Sequence, residues 1–433
     1  MERSPSLPEK APQAVGRIVA GMCLAEVLSM TGFAAYPVFL APLRNLWRLS
    51  NAEAGFIGGA FFAGYMTAVF FLAAATDRID ARRVYVGSCL LSAASLAGFA
   101  ALASGVASAA FFQMLGGAGL AGTYMPGLKA LTDRVGGPRQ SRYISFYTST
   151  FGIGTSLSLL LAGWGGRLLS WPAVFALLAA GPLAAAGLVL QAIAPAAASP
   201  PASGKARLLP RPAVLRLPGV ASFVLRYAAH CWELFGLRSW MVAFVLFGYG
   251  VSPAGSAPLG ATEAAALINL LGIPVSILGN ETAMRVGRSR FIPMAMAASG
   301  LLAWAAGFSP SLSAGTMLAI LAVYYVAVMS DSAALTAGLV EATPAPVRGA
   351  AMAFYSFAGF GAGFLAPVAF GAVLDLAGGN ESARAWGLAF GSLGAGCLTA
   401  GLAPLISRSA SGKRPALTPD SQRLRPPPID APD

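Results

Sequence analysis

The chain has 433 residues, of which 56% are hydrophobic and only 11% charged, with a mean hydropathy of +0.68 and a formal net charge of +12. That is too little polar residue to cover a globule of this size, which excludes an ordinary soluble domain and places the chain in a bilayer. The cations are divided among short segments between apolar stretches, where they orient a membrane protein, and no nucleic-acid partner is expected.

Twelve apolar stretches are long enough to cross hydrocarbon, which takes about 20 residues each. They lie near 17–41, 53–76, 83–104, 107–131, 143–166, 171–193, 219–248, 261–282, 291–309, 313–341, 349–375 and 384–407. The first follows a basic start (Lys10, Arg17) and resembles a signal peptide, but its length and its eleven successors argue for a retained anchor. Pro37, Pro126, Pro274 and Pro367 fall inside spans, where neighbouring helices can satisfy the freed backbone groups. Gly58, Gly59, Gly116, Gly117, Gly359, Gly361 and Gly363 would let helices approach closely.

The stretches group into five regions: a tail at 1–16, a six-helix bundle at 17–193, a Pro, Ala and Ser-rich linker at 194–218, a second six-helix bundle at 219–407, and a tail at 408–433 that reads as disordered. With the N-terminus inside, twenty-two cations fall on inside segments and only Arg44, Arg48, Arg167 and Arg384 outside, so both ends are expected in the cytoplasm. Short loops and twenty-five Arg against four Lys suggest a bacterial inner membrane. Cys23, Cys89, Cys231 and Cys397 lie apart in apolar spans, so no disulfide framework, metal or cofactor is implied.

The chain repeats itself about midway. A shift of 207 residues carries Arg78-Ile79-Asp80-Ala81-Arg82-Arg83 onto Arg285-Val286-Gly287-Arg288-Ser289-Arg290, and Glu26 onto Glu233. Arg142 falls on Arg348 at 206, Phe146-Tyr147 on Phe354-Tyr355 at 208, and Trp171-x-x-x-Phe175 recurs as Trp386-x-x-x-Phe390. Duplicated multi-helix units of this kind are the build of secondary transporters.

Two six-helix halves, a long linker, and a short basic loop after the second and eighth spans resemble the major facilitator superfamily, over residues 15–407. Its signature Gly-x-x-x-Asp-Arg-x-Gly-Arg-Arg looks like Ala73-Ala74-Ala75-Thr76-Asp77-Arg78-Ile79-Asp80-Ala81-Arg82-Arg83, with Ala73 for the first Gly and Asp80 for the second; the second copy keeps Arg285, Gly287 and Arg288 and has Met284 in place of the acid. The resemblance implies an all-α fold of twelve transmembrane helices in two pseudo-symmetric bundles, working by alternating access as a monomer. It also implies that Asp77 engages the start of the eleventh span near Gly349 when the protein is open outward, with Arg78, Arg82, Arg83, Arg285 and Arg288 completing a latch. The alternative is that these are topogenic charges facing lipid phosphates.

Charges inside spans are costly, about 2.5–3.5 kcal/mol each on insertion scales, so they should face water or each other. The seventh span holds Arg226, His230, Glu233 and Arg238. At 100° per residue, Arg226, His230, Glu233, Leu237, Trp240 and Phe244 share one sector, and Arg238 lies off it, bracing a neighbouring helix. His230, the only histidine, sits one turn from both Arg226 and Glu233 and could exchange a proton, or be a satisfied helix contact. In the family the first, fourth, seventh and tenth spans line a central cavity, which implies that Glu26 faces Glu233 across it. Asp331 in the tenth span aligns with Tyr124 in the fourth, whose inner end carries Lys129. Glu26, Glu233 and Asp331 with Arg226 and Lys129 would then exchange partners when a solute arrives, the alternative being a structural ion-pair network.

The expected function is proton-coupled movement of a small organic or anionic solute, with membrane lipids as the surroundings. Arg226 suits a carboxylate. Export of an amphipathic compound is the second reading, with Trp240, Phe244, Tyr324 and Tyr325 as its pocket; a sensor that keeps the fold, or a membrane enzyme, has no supporting residues.

Overall fold

Breaks in the hydrophobic helices shape this molecule as much as the helices do. The computed structural model describes residues 12–76, 78–137, 139–195, 212–252, 257–344 and 347–410. Most of both outer tails, most of the linker and Asp77 lie outside that set. The described helices are α1 (Pro12–Ser29), α2 (Ala35–Leu46), α3 (Asn51–Ala75), α4 (Ala81–Leu102), α5 (Val106–Thr132), α6 (Gln140–Leu168), α7 (Trp171–Leu178), α8 (Ala180–Ala192), α9 (Val220–Val251), α10 (Ala261–Val286), α11 (Arg288–Gly307), α12 (Ala314–Ser330), α13 (Ser332–Ala342), α14 (Arg348–Ala377) and α15 (Ala383–Ala410).

Among the described residues nine stretches are long and apolar enough to cross a membrane, counting α7 with α8 and α12 with α13 as continuous spans. The broken α1–α2 and the helices α11 and α15 bring the number to twelve, in two six-helix bundles joined between α8 and α9. The first span is interrupted at 30–34, where the sequence reading runs it straight from 17 to 41. The interruption is tolerated because its backbone finds partners: Ser158 Oγ donates to Thr31 O (2.7 Å) and accepts from Ala34 N (2.9 Å), and Thr31 Oγ1 donates to Leu178 O (2.9 Å) at the α7–α8 break. Outward-facing Leu90, Leu225, Leu278, Met294 and Leu301 give the bundles an apolar jacket suited to lipid.

We call the face bearing the start of α1, the α3–α4 loop and the α10–α11 turn the tail face, and the face bearing the α2–α3 and α14–α15 turns the far face. The two halves meet along α3 with α14 and α6 with α10. Small residues set this distance: a Cβ at Gly55 or Gly59 would run into the α14 backbone at Pro367 or Phe364. One apolar core, containing Tyr36, Phe39 and Phe62 with Trp240, Phe244 and Phe370, runs across both halves. Toward the tail face the core splits. Tyr85, Tyr147 and Val189 pack in the first half, and Val220, Leu339 and Tyr355 in the second.

Candidate functional site

Every hydrogen bond that crosses between the halves, among the described residues, lies in the far-face half of the molecule. Asp375 accepts from Asn51 N (3.0 Å), Asn51 Nδ2 (2.8 Å) and Ala52 N (2.9 Å); Glu263 accepts from Trp164 Nε1 (2.9 Å) and Arg167; Ser156 Oγ donates to Ala266 O (3.0 Å). The far face is therefore sealed by polar pairs. Deeper in, the halves touch through rings: Phe62 with Phe235 (centroids 4.2 Å apart) and Tyr65 stacked on Phe360 (4.0 Å).

Between the sealed face and these rings lies a cavity whose walls come from both halves, with Phe33, Phe61 and Gln113 on one side and Arg238, Ser239 and Asn269 on the other. Its volume is about 30 Å³, room for about two waters. Among the described residues Arg238 is the only charged one lining it. Nε donates to Asn269 Oδ1 (3.0 Å) and Nη2 to Tyr325 OH (2.6 Å), and Tyr325 OH in turn donates to Asn269 Oδ1 (3.0 Å). The guanidinium also lies 5.9 Å from the Phe151 ring across the interface. Arg238 braces α10 and α12, as its position off the α9 stripe suggests, and also lines the cavity, which the sequence reading missed. Helical period tells which residues share a face. It does not tell which way a face points when the helix is packed on nearly every side, as α9 is.

The paired acids do not face one another. Glu26 is fully buried inside the first bundle, where Oε2 accepts from Tyr147 OH (2.9 Å) and Tyr85 OH (3.2 Å) while Oε1 has no partner. Glu233 is buried inside the second, accepting from Ser299 Oγ (2.7 Å) and Tyr324 OH (3.1 Å). The expectation of opposition across a shared pocket is overturned: each acid sits behind the cavity wall of its own half, held by neutral donors among the described residues. Nor do the expected cations neutralise them. Lys129 pairs with Asp133 one turn on (3.0 Å), and Arg226, largely buried, has no hydrogen-bond or ion-pair partner among the described residues. His230 Nδ1 meets Asp331 (2.8 Å), with its ring stacked on Tyr227, so its partner is the acid at the α12–α13 break and not Glu233.

The aromatic stripe is packing. Trp240 is fully buried, stacked on Phe370, and donates Nε1–H to Pro367 O (3.1 Å) within the second bundle. Tyr124 lies beside Tyr147 (6.2 Å) and edge-on to Phe151 (5.5 Å), near Glu26 and not in the cavity.

The basic loops divide in the same way. Asp77 lies outside the described residues, so the latch expected of it is not described. Arg78, Arg83 and Arg285 are exposed, and Arg82 donates to Leu190 O (2.7 Å) within its own bundle. Asp80, which departs from the family signature, caps α4 and forms a buried ion pair with Arg134 (2.8 Å); Arg134 also donates to Ala130 O (3.1 Å) and Ala194 O (3.0 Å). In the second half Arg288 pairs with Glu341. Adding 207 to Asp80 and Arg134 gives Gly287, next to Arg288, and Glu341, so the two clamps stand at matching places with their charges exchanged. That inversion was visible in the sequence as opposite charges at offsets of 207 and 208.

The profile of the Major Facilitator Superfamily matches residues 22–367. The chain belongs to the Major Facilitator Superfamily.

As a superfamily member it is a multi-pass membrane transporter and not an enzyme. The fold agrees with several solved structures. One is a bacterial homolog of the human lysosomal transporter Spinster in an inward-facing, unoccupied conformation (17% identity, TM-score 0.69, covering 92% of this chain and 96% of that one). Others are a mutant form of the nucleoside transporter NupG (15%, 0.72, 90% and 99%) and the POT family transporter PepTSo (13%, 0.69, 93% and 99%). At these identities the likeness is one of fold. Among curated proteins none matches the chain.

Proposed function

We propose that this superfamily member is a secondary active transporter of a bacterial inner membrane that moves a small organic or anionic solute by alternating access, coupled to protons. The observation that carries this reading is the cavity at the interface of the halves, closed toward the far face by polar pairs and toward the tail face by apolar contacts, the stacked rings among them, between otherwise separate cores. The Lys and Arg distribution supports a cytoplasmic tail face, and the conformer is then one that opens inward.

Proton coupling is supported by Glu26 and Glu233. Burying a carboxylate charge with no counter-cation is costly, and neutral donors alone offset it poorly. Acids so placed, one in each half behind the cavity wall, bind and release a proton as the halves rock and hydrate them. They would act from inside their bundles and not by trading partners across the pocket.

Counterflow in proteoliposomes loaded with a bacterial metabolite extract tests the function. Exchange of unaltered solute supports it. Binding without exchange would indicate a sensor, and an altered product an enzyme; either result overturns it.

A further inference from the structure

We propose that the central cavity is a binding site for a monocarboxylate with an apolar, ring-sized body, and that Arg238 is the group that recognises its carboxylate. The proposal rests on the transport reading only in taking the cavity as the solute site.

A guanidinium has five N–H donors, and Arg238 uses one on Asn269 and one on Tyr325. Both acceptors are neutral, and no carboxylate among the described residues lies within ion-pair distance of it. The Nη1 amino group makes no hydrogen bond to a described residue, and the side chain lines the cavity. What is left over is one positive charge and a planar edge of donors, the geometry that takes a carboxylate in two parallel bonds. Asn269 and Tyr325 are themselves tied together, so the fork is held in place before the ligand arrives.

The other walls limit the rest of the ligand. Phe33, Pro37, Phe61, Phe62 and Leu159 are apolar, while Gln113 offers an amide and Thr155 and Ser239 offer hydroxyls. With a single cation and no acid lining the space, one negative charge is balanced and a second is not. A dicarboxylate would bury an uncompensated charge against phenyl rings, an amine would meet Arg238 with like charge, and an amide would leave the guanidinium unpaired. The phenyl lining suits an aromatic or branched body. At about 30 Å³ the closed cavity is too small for such a body, so admitting it requires the Phe62–Phe235 and Tyr65–Phe360 contacts to part and widen the space, which places entry from the tail face.

The test is equilibrium binding to the purified full-length protein in lipid nanodiscs. Phenylacetate, indole-3-acetate and isovalerate are compared with phenylacetamide, phenethylamine and phenylsuccinate. At least one of the three monocarboxylates is expected to bind, at least tenfold tighter than the amide, amine and dianion, with affinity falling tenfold or more in Arg238→Gln and partly restored in Arg238→Lys. A second readout keeps Arg238 in place: Gln113→Cys, labelled with a maleimide, is expected to react more slowly with the bound carboxylate present and at an unchanged rate with phenylacetamide. The site is overturned if none of the three monocarboxylates binds, if the amide or amine binds as well as the acid, if Arg238→Gln binds like the parent, or if labelling at 113 is not slowed. Proteoliposome exchange separates this from the transport reading. A carboxylate that binds through Arg238 and is never exchanged leaves the site standing and sinks the transport, whereas exchange of solutes that Arg238→Gln handles normally does the reverse.

Discussion

Asp375 sits on the start of α3, its carboxylate taking the backbone N–H groups of Asn51 and Ala52 and the side-chain amide of Asn51. A helix begins with N–H groups that have no intrahelical partner and with the positive end of its dipole, so an anion placed there is doubly suited. Because Asp375 ends α14 and Asn51 begins α3, the contact ties one half of the molecule to the other. The family resemblance assigns Asp77 the reverse contact, an acid after the second span on the start of the eleventh, at the opposite face.

Asp375→Asn is expected to loosen the far-face seal. Charge-assisted hydrogen bonds contribute about 1.5–3 kcal/mol when protected and less when exposed. A net loss of about 2 kcal/mol would raise the far-face-open population roughly thirtyfold. Maleimide labelling of Ala54→Cys, buried beside the seal in the parent, reports the change; an unaltered rate removes Asp375 from the latch.

By the same logic, if Asp77 makes the contact that the family resemblance assigns it, Asp77→Asn is expected to weaken a tail-face latch and favour the conformer described here. Cysteine accessibility measured on both faces should move in opposite directions to the Asp375 variant. Identical accessibility in Asp77→Asn and the parent would count against any latch at that loop.

Asp80 and Arg134 are both buried, and removing one partner of such a pair leaves the other charge uncompensated. Asp80→Ala should destabilise the first bundle by about 3–5 kcal/mol, seen as a lower unfolding temperature in detergent. The partly exposed Arg288–Glu341 pair should lose less than about 1 kcal/mol when Glu341 is replaced by Gln. Equal losses from both would show that the two clamps do not differ as their burial requires.

Glu233→Gln is expected to abolish uphill, proton-driven uptake while sparing counterflow, since the amide can accept from one of the Ser299 and Tyr324 hydroxyls and donate to the other but cannot take up or release a proton. Glu26→Gln tests the matching position against Tyr85 and Tyr147. Uptake that responds to pH as in the parent in both variants would take the acids out of coupling.

Trp240→Phe is expected to lower stability by about 1–3 kcal/mol through lost packing against Phe370 and the lost bond to Pro367, with transport per folded molecule unchanged. A selective loss of solute affinity would restore Trp240 to the pocket.

Span number and the internal repeat were legible because they rest on composition and spacing, which survive without coordinates, and the superfamily through the resemblance of the basic loop at Asp77–Arg83 to its signature. The costly charges were also legible: Glu26, Arg226, His230, Glu233 and Asp331 are all buried as their placement in apolar spans demands. Their partners were not. His230 reaches Asp331 across α9 and the α12–α13 break, and Glu26 reaches two tyrosines on α4 and α6, contacts set by how helices rotate against each other. Arg238 lies off the stripe of the other charges, and being off the stripe is what turns it to the cavity.

The exchanged charges of the two tail-face clamps bear on how a duplicated chain assembles. Two halves built on one repeated pattern carry helices that could pack into the wrong copy during membrane insertion. A third span docked beside the fourth span of the other half would set Asp80 against Glu341, or Arg288 against Arg134. Either swap would bring like signs together at the bilayer edge, so the exchanged charges disfavour a bundle assembled from mixed copies.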